Sequence, residues 1–552
     1  MKVLLIQPPV RDFYYTAIRT QPLGLACLAA ALRARGHEAA ILDCRAGKRR
    51  TAPIPRELSF LREFYPFDDR SPFRLFTGFY HFGPGFDWIR GKIRESGADC
   101  VGIASSFTAY HNEALEIARI VKQEWDPKKF VIMGGAHPSC DPGGTLRSPL
   151  VDCVILGEGE SRLPLVADCI EKGDRRGLKE IDGVGYRENG AIRVNPLRNF
   201  VGDLDALPFP ARDLLPLDRY RIGRKRSTML VTSRGCPHGC AYCSAHLTMG
   251  SAFRSRSPEN VIREIADCRR RFGIEAFDIE DDNFTLDRAR ALKLMRLIAE
   301  TFGERKLDLT AMNGVSFASL DAHLLQSMWK AGFSTINLSF VSSDPATKKR
   351  LGRPGSGPDF DTVLWQAEAA GLNVIAYAIL GMPGQTVDEM VDTLVHLMGK
   401  RVLIGPSVYY PTPGTTLFAK CREESGLPPD ISAWRSTALP IETQEFDRLD
   451  MVTLLRFSRL VNFVKKKIVE GALPEGITWR ELQLAVGAAR AVSPGFDSAW
   501  MDLLSLLFRE HAFFSVRAGP TKELVFHREK SSPRVFETFF NQAWERPVRG
   551  SR

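Results

Sequence analysis

The chain has 552 residues, of which 44% are hydrophobic and 25% charged, a size at which a single hydrophobic core stops growing and two or three domains are expected. No uncharged apolar run approaches the roughly eighteen residues of a membrane span, and MKVLLIQPP reaches Pro8 and Pro9 without the apolar core and cleavage site of a signal peptide, so a first β-strand is predicted there. The net charge of +10 suits acidic partners or anionic small molecules, but Lys and Arg concentrate only briefly, at Arg221 to Arg226 and Lys465 to Lys467, which reads as a solvated basic surface and not a nucleic-acid site.

The first segment alternates strand-like KVLLIQ, EAAILDC, CVGIASS, FVIMGG and CVILGEGE with amphipathic LGLACLAAALRARG, YHNEALEIARIVKQ and RLPLVADCIEKG. Short buried strands joined by crossover helices predict an α/β, doubly wound, Rossmann-like (flavodoxin-like) domain over 1–175, with ligands beyond the carboxyl ends of its strands. Residues 176–225, including LPFPARDLLPLDRY, read as an irregular connector. A second alternating series over 226–425 (STMLVTS, AFDIEDDNF, KLDLTAMNG, TINLSF, NVIAYAILG, VLIGPSVYY) predicts a full or partial (β/α) barrel with its chemistry at the C-terminal strand ends. From 426 to 552 the pattern is mostly helical, LDMVTLLRFSRLVNFVKKKIVEG being the clearest amphipathic stretch. Phe513, Phe514, Phe539 and Phe540 in that region read as core aromatics, and no catalytic motif stands out there.

Eleven cysteines without regular framework spacing indicate reduced thiols and a cytoplasmic protein. Three of them, Cys236, Cys240 and Cys243, fall within eight residues directly after a strand, and Gly235, Pro237 and Gly239 bend the loop so that their side chains can converge. Thiolates suit an iron–sulfur cluster or zinc; for zinc, His238 or His246 would supply a fourth ligand, whereas three cysteines on a cubane leave one iron open to substrate. The C-x3-C-x2-C spacing with Tyr242 before the last cysteine resembles the signature of the radical S-adenosylmethionine superfamily. That resemblance implies a [4Fe-4S] cluster as metal centre on the three cysteines, S-adenosylmethionine chelated to the open iron, and reductive cleavage to a 5′-deoxyadenosyl radical. It further implies that Tyr242 faces the adenine, that Glu280, Asp281, Asp282 and Asn283 lie near the methionyl amino group, that Ser339 and Ser342 approach the ribose or carboxylate, and that Gly381 and Pro383 line the adenine side. Many related sequences carry a Glu where this chain reads Ser339-Phe340-Val341-Ser342-Ser343.

The N-terminal strand ends resemble the cobalamin-binding domain found upstream of many radical enzymes. The resemblance implies cobalamin beside Ser105, Ser106, Gly134, Gly135, Gly157 and Glu158, where small residues let a nucleotide tail approach the backbone. The D-x-H-x-x-G motif that places a His under cobalt in mutase-type domains is absent, since no His occurs between Met1 and Gly36; His111 and His137 read as surface or packing residues. Together the two resemblances imply an enzyme that uses both cofactors to methylate an unactivated carbon of a small-molecule, lipid or natural-product substrate, with an external electron donor such as flavodoxin or ferredoxin. Two alternatives stand beside it: a radical cyclase, oxidase or carbon–carbon coupling enzyme without net methylation, and a non-catalytic iron–sulfur or zinc protein.

Overall fold

The computed structural model describes residues 1–15, 21–353, 359–424, 426–488, 499–519 and 523–551. Its first sheet contains β1 (Lys2–Gln7), β2 (Glu38–Asp43), β3 (Cys100–Ala104), β4 (Phe130–Gly134), β5 (Cys153–Ile155), β6 (Val184–Glu188) and β7 (Ala191–Val194), in the order β7-β6-β5-β4-β3-β1-β2. The five strands from β1 to β5 are parallel, and their order 2-1-3-4-5 is that of a flavodoxin-like sheet. Val3 and Leu5 point into one core with α1 (Leu23–Ala34) and α4 (Leu163–Glu171), while Leu4 and Ile6 point into the other with α2 (Phe86–Glu95) and α3 (His111–Arg119). Both faces are therefore covered, which is why KVLLIQ is an unbroken apolar run and not an alternating one. Part of the stretch expected to be an irregular connector is ordered into this sheet: β6 and β7 form a hairpin around Asn189 and Gly190, both with positive φ, and β6 closes antiparallel on β5. The signal was a tight turn, E-N-G, set inside a composition otherwise rich in proline and charge.

The second unit carries β8 (Lys225–Leu230), β9 (Ile274–Ile279), β10 (Asp308–Thr310), β11 (Thr335–Val341), β12 (Asn373–Leu380) and β13 (Leu403–Val408), all parallel. Bridges Leu309 to Phe333 and Val315 to Leu338 join its two halves, while β8 and β13 do not pair, so the barrel is partial and open on one side. Crossover helices α5 (Pro258–Phe272), α6 (Arg288–Phe302), α7 (Ala322–Ala331), α8 (Phe360–Ala369) and α9 (Val387–Met398) wrap its outside. Side-chain caps from Ser257, Asp287, Asp321, Asp359 and Thr386 start each of them, satisfying amides that the first helical turn leaves unbonded.

The C-terminal region is mostly helical, with α10 (Arg448–Val469) its longest element and a hairpin of Phe514–Ala518 with Leu524–Arg528. It shares one continuous core with the barrel and with residues 58–79; Phe513 and Phe539 are buried there, and Phe457 stacks on Phe539 at 4.1 Å. Asn462 of α10 brackets Ile404, accepting from its amide at 2.9 Å and donating to its carbonyl at 2.8 Å, so α10 lies along the free edge of the last barrel strand. Among the described residues no helix is long and apolar enough to cross a membrane.

Candidate cofactor site between the two sheets

The cysteine loop is tied down before it begins. Asp281, only 2% exposed, accepts from the Thr232 amide (2.6 Å), the Thr232 hydroxyl (2.5 Å) and the Ser233 hydroxyl (2.7 Å), and the Gly235 amide donates to Asp282 at 2.9 Å. The loop after β9 thus fixes the loop after β8 through its own carboxylates. Gly235 has φ +82°, and a Cβ there would stand 2.3 Å from the Ala252 carbonyl oxygen, so only glycine fits. Beyond it, the Asn283 amide donates to Cys236 Sγ at 3.7 Å, the Ala245 amide to Cys243 Sγ at 3.5 Å, and the Ala241 amide to the Leu351 carbonyl.

Two of the three thiols, Cys236 and Cys243, have raised pKa values. Burial is the main cause for Cys236 and Cys243, reinforced by Cys240 and by Asp282. The three thiols are not gathered within 4.8 Å of one another. A tetrahedral zinc with Zn–S near 2.3 Å needs sulfur–sulfur edges of about 3.8 Å, and the three thiols are not drawn together to that extent. A sign that the loop fits a bound cluster is Asn283, 5% exposed, whose Oδ1 has no hydrogen-bond partner while its amide group faces Cys236. Buried acceptors without partners are rare, and this one opens beside the thiols.

The other residues named from sequence divide into two groups. At the barrel mouth, Glu280 is half-buried, Asp282 is exposed overall but its carboxyl is raised by the protein crowded around it and by the charge of Asp281, and Tyr242 is part-buried, its phenol raised by burial. Ser339 is part-buried at the bulged end of β11, and its carbonyl accepts from Arg353 at 2.7 Å. Val341 sits at φ +71°, a strained conformation for a β-branched residue, and the chain turns there. Ser342 is turned inward as a result: it is fully buried, with its hydroxyl on Thr393 and on the Asp344 amide, so it braces α9 and does not reach the mouth. Gly381 (φ +75°) and Pro383 form a buried turn; a Cβ on Gly381 would meet Met451 of α10 at 2.9 Å. Asp281 likewise faces the loop anchor rather than an open space.

In the first domain, Gly134 is part-buried, Ser106 is part-buried and Gly135 is exposed at the carboxyl edge of the sheet. Ser105 is buried: its hydroxyl pairs with His111 Nδ1 at 3.0 Å, and His137 Nδ1 pairs with Thr108 at 3.1 Å. The two imidazoles lie 4.1 Å apart, so both pack inside the domain and neither is a surface residue. Gly135 is required by its own turn, since φ is +114° and a Cβ would come within 2.8 Å of the Ser105 carbonyl oxygen; Gly134 has room, its nearest Cβ neighbour being the Ile155 carbonyl oxygen at 3.6 Å. Gly157 has φ +63° and donates its amide to Ser139 at 2.9 Å.

Glu158 departs most from its expected role. Its carboxylate is buried on Arg234 (2.8 Å) and Arg254 (2.9 Å), accepts from the Val201 amide, and is joined by Glu160 on Arg234 at 2.6 Å. Arg234 immediately precedes Gly235 and Cys236, so this pairing clamps the cysteine loop to the first domain. Neither arginine carried a sequence signal beyond an ordinary basic residue. The clamp sets the carboxyl edge of the first sheet against the loop. Helix Ala136–Cys140 packs on Ala245–Thr248, Cys140 shares a hydrogen bond with Ser244 and feels the charge of Cys243, and a Cβ on Gly157 would lie 3.2 Å from the Thr248 carbonyl oxygen.

Two parallel sheets whose carboxyl ends converge on one three-cysteine loop are the arrangement expected of a radical S-adenosylmethionine enzyme with an appended cobalamin domain. The radical SAM superfamily model matches residues 230–397 and the B12 binding domain model matches residues 84–167, so both domains are found in this chain. An uncharacterized methyltransferase of Pyrococcus horikoshii is 29% identical over 424 residues, covering 76% of this chain and 82% of that one. Cytidylyl-2-hydroxyethylphosphonate methyltransferase of Streptomyces wedmorensis is 27% identical over 480 residues, 79% of this chain and 84% of its own. Among solved structures, the radical S-adenosylmethionine methyltransferase TsrM of Kitasatospora setae, with cobalamin and a [4Fe-4S] cluster bound, superposes with a TM-score of 0.58 at 18% identity over 76% of this chain and 78% of that chain. OxsB, with aqua-cobalamin and S-adenosylmethionine bound, gives 0.57 at 15% identity over 92% and 71%. The two structures share this fold.

Proposed function

We propose that the chain is a cobalamin-dependent radical S-adenosylmethionine methyltransferase acting on an unactivated carbon of a small molecule. The observation that carries this reading is the clamp Glu158–Arg234–Arg254, because it holds the exposed glycine edge of the first sheet against the cysteine loop and brings two cofactor sites to one space. Methyltransferases recur among the relatives of similar length, which supports the same reading. When bound, the cluster supplies the electron that cleaves S-adenosylmethionine, and cobalamin carries the methyl group. Cys236, Cys240 and Cys243 would hold the cluster; Asn283, Asp282 and Glu280 offer acceptors to the methionyl ammonium; Tyr242 and the Ser339 backbone border the nucleoside; Ser106, Gly134, Gly135 and Gly157 leave space for the corrin tail. Ser342, Asp281 and Glu158 serve by positioning, through α9, the cysteine loop and the domain clamp.

Reduction requires an electron donor. The exposed rim of the loop, Pro237 to Gly239, abuts Gly352 just beyond helix Pro345–Arg350, which ends in Lys348, Lys349 and Arg350. That basic rim suits an acidic carrier protein such as flavodoxin.

The test uses protein reconstituted anaerobically with iron, sulfide and hydroxocobalamin, reductant, and S-adenosylmethionine labelled on its methyl group. Both S-adenosylhomocysteine and 5′-deoxyadenosine are expected, with label entering the product once a substrate is supplied. Sustained 5′-deoxyadenosine and a converted substrate without S-adenosylhomocysteine or label would leave a cyclase or coupling enzyme in its place.

A further inference from the structure

The carboxyl edge of the first sheet is closed on one side and accessible on the other. Gln7 and Asp43, which end β1 and β2, are buried, and the chain beyond them folds into a small antiparallel sheet of Val10–Asp12, Tyr80–Phe82 and Arg49–Thr51. At β3 and β4 the edge stays accessible: Gly135 is exposed, and Phe107 is 41% exposed. These two positions are neighbours, since the Ser105 amide donates to the Gly134 carbonyl at 2.7 Å and a Cβ on Gly135 would stand 3.3 Å from the Ser106 nitrogen. From Cys100 to Lys122 Phe107 is the one exposed residue, with Ser105, Thr108 and Ala109 buried around it. One aromatic ring is thus turned out of an otherwise buried segment.

That ring is held from behind. Phe107 packs edge-on against Tyr110, 5.9 Å between rings. Tyr110 is fixed in turn: its hydroxyl donates to Asp12 Oδ2 at 2.5 Å, and its ring lies 5.1 Å from the guanidinium carbon of Arg435. Asp12, 1% exposed, also accepts from the Thr437 hydroxyl at 2.8 Å and from Arg435 at 3.3 Å. Arg435, 4% exposed, donates further to the carbonyls of Arg11 at 2.6 Å and Ala109 at 2.9 Å. Arg435 precedes and Thr437 lies within the turn Ser436–Ala438, beyond the last barrel strand. A buried ion pair whose donors and acceptors are all engaged is costly to disturb. A residue 326 positions away from Ala109 therefore fixes the loop after β3.

We infer that Arg435 is a positioning residue for the cobalamin site: through Asp12 and Tyr110 it holds Phe107 so that the ring offers a flat apolar contact to the corrinoid beside the Gly134–Gly135 edge. The broad face of a corrin macrocycle is apolar, with its amides at the rim, so an aromatic ring suits it. The imidazoles of this stretch, His111 and His137, are engaged with Ser105 and Thr108 inside the domain, which leaves the phenyl ring as the group presented. The region beyond the barrel thereby takes part in binding the first domain's cofactor. The inference rests on the cobalamin reading above, and its test separates the two. Hydroxocobalamin is titrated by calorimetry into the full chain after cluster reconstitution, with iron content and melting temperature measured on each sample. Phe107→Ala changes an exposed side chain, so it should keep both values yet bind about tenfold more weakly, while Phe107→Tyr should bind as wild type. Trp365→Ala, at a 70% exposed ring on the outer helix α8, should leave binding unchanged. Arg435→Gln should weaken binding by about tenfold in the wild-type background but add little to Phe107→Ala, because it acts through that ring; a merely structural role would weaken both backgrounds alike. Equal binding by wild type and Phe107→Ala, or additive losses for Phe107→Ala and Arg435→Gln, would overturn the inference. Should Arg435→Gln fold poorly, Tyr110→Leu, which removes the ring behind Phe107 and leaves Asp12 its contacts with Arg435 and Thr437, takes its place in the same comparison. Wild type that binds no hydroxocobalamin would reject the cobalamin reading itself, and the inference with it.

Discussion

Cys236, Cys240 and Cys243 differ from the other eight cysteines in being held by one loop, each against a neighbouring loop or helix. Replacing any one with Ala should abolish 5′-deoxyadenosine formation and lower bound iron while leaving the fold intact, because the loop is anchored by Asp281 and Gly235 and not by the thiols. Cys268 and Cys421 are buried far along the chain from the loop, and Ala there should leave iron content unchanged. Full activity in a loop-cysteine variant would reject the assignment. The histidine pair permits a prediction of pH dependence. Burial lowers both imidazoles from 6.5, His111 to about 3 with help from His137, and His137 to about 4 against the opposing charge of Asp141. The unfolded chain therefore takes up protons near pH 6.5 that the folded domain refuses, and this stability is present in full above pH 6.5 and lost as pH falls toward those folded values. Each histidine contributes a slope of up to about 1.4 kcal/mol per pH unit in that window. Thermal denaturation should show a steeper fall between pH 7 and 5 for wild type than for a His111→Asn, His137→Asn double variant; identical slopes would rule the mechanism out.

At the scale of elements, the edge of β4 holds one glycine required by its own turn and one with room around it. Gly135→Val should unfold the turn, since its Cβ meets backbone, whereas a Cβ at Gly134 meets no atom closer than an ordinary contact. The second variant should keep its melting temperature and iron but bind hydroxocobalamin at least about tenfold more weakly, as bulk is added on the cradle surface. Unchanged corrinoid binding by calorimetry would remove β4 from that site. The clamp between β5 and the cysteine loop makes a different prediction. Glu158→Gln leaves Arg234 and Arg254 buried without their shared charge, and breaking a buried pair in this way costs about 3–5 kcal/mol. The two domains should then separate: cleavage by protease within residues 195–225 should accelerate, and iron retention should fall although no cysteine has changed. Glu160 keeps one contact to Arg234, so Glu160→Gln should show a smaller effect of the same kind.

For the whole molecule, the basic rim at Lys348, Lys349 and Arg350 beside the cysteine loop predicts that cluster reduction by flavodoxin slows as ionic strength rises, because opposite charges steer the encounter and salt screens them. Lys349→Glu with Arg350→Glu should slow it at low salt as well, and a rate indifferent to both changes would place the donor elsewhere. Much of this architecture was legible in the chain. The alternation of KVLLIQ, CVGIASS and FVIMGG with amphipathic helices gave the doubly wound sheet, the series from STMLVTS to VLIGPSVYY gave the barrel, and the spacing of the three cysteines gave their loop. Each of these is a local pattern, set by the 2.0 and 3.6 residue periods of strand and helix or by ligand spacing within one turn. The hairpin of β6 and β7 lay hidden in a stretch whose composition resembled a linker. The roles of Ser342, Asp281 and Glu158 were beyond any local pattern, because a carboxylate or hydroxyl has the same appearance in sequence whether it meets a cofactor or a partner 49 or 76 residues away. The sequence by itself determined which elements form and which thiols share a loop; only the tertiary structure decided which polar groups are already satisfied by protein and which, like the buried Oδ1 of Asn283, are left without a partner, since that depends on long-range packing of segments that carry no trace of one another in their own periodicity.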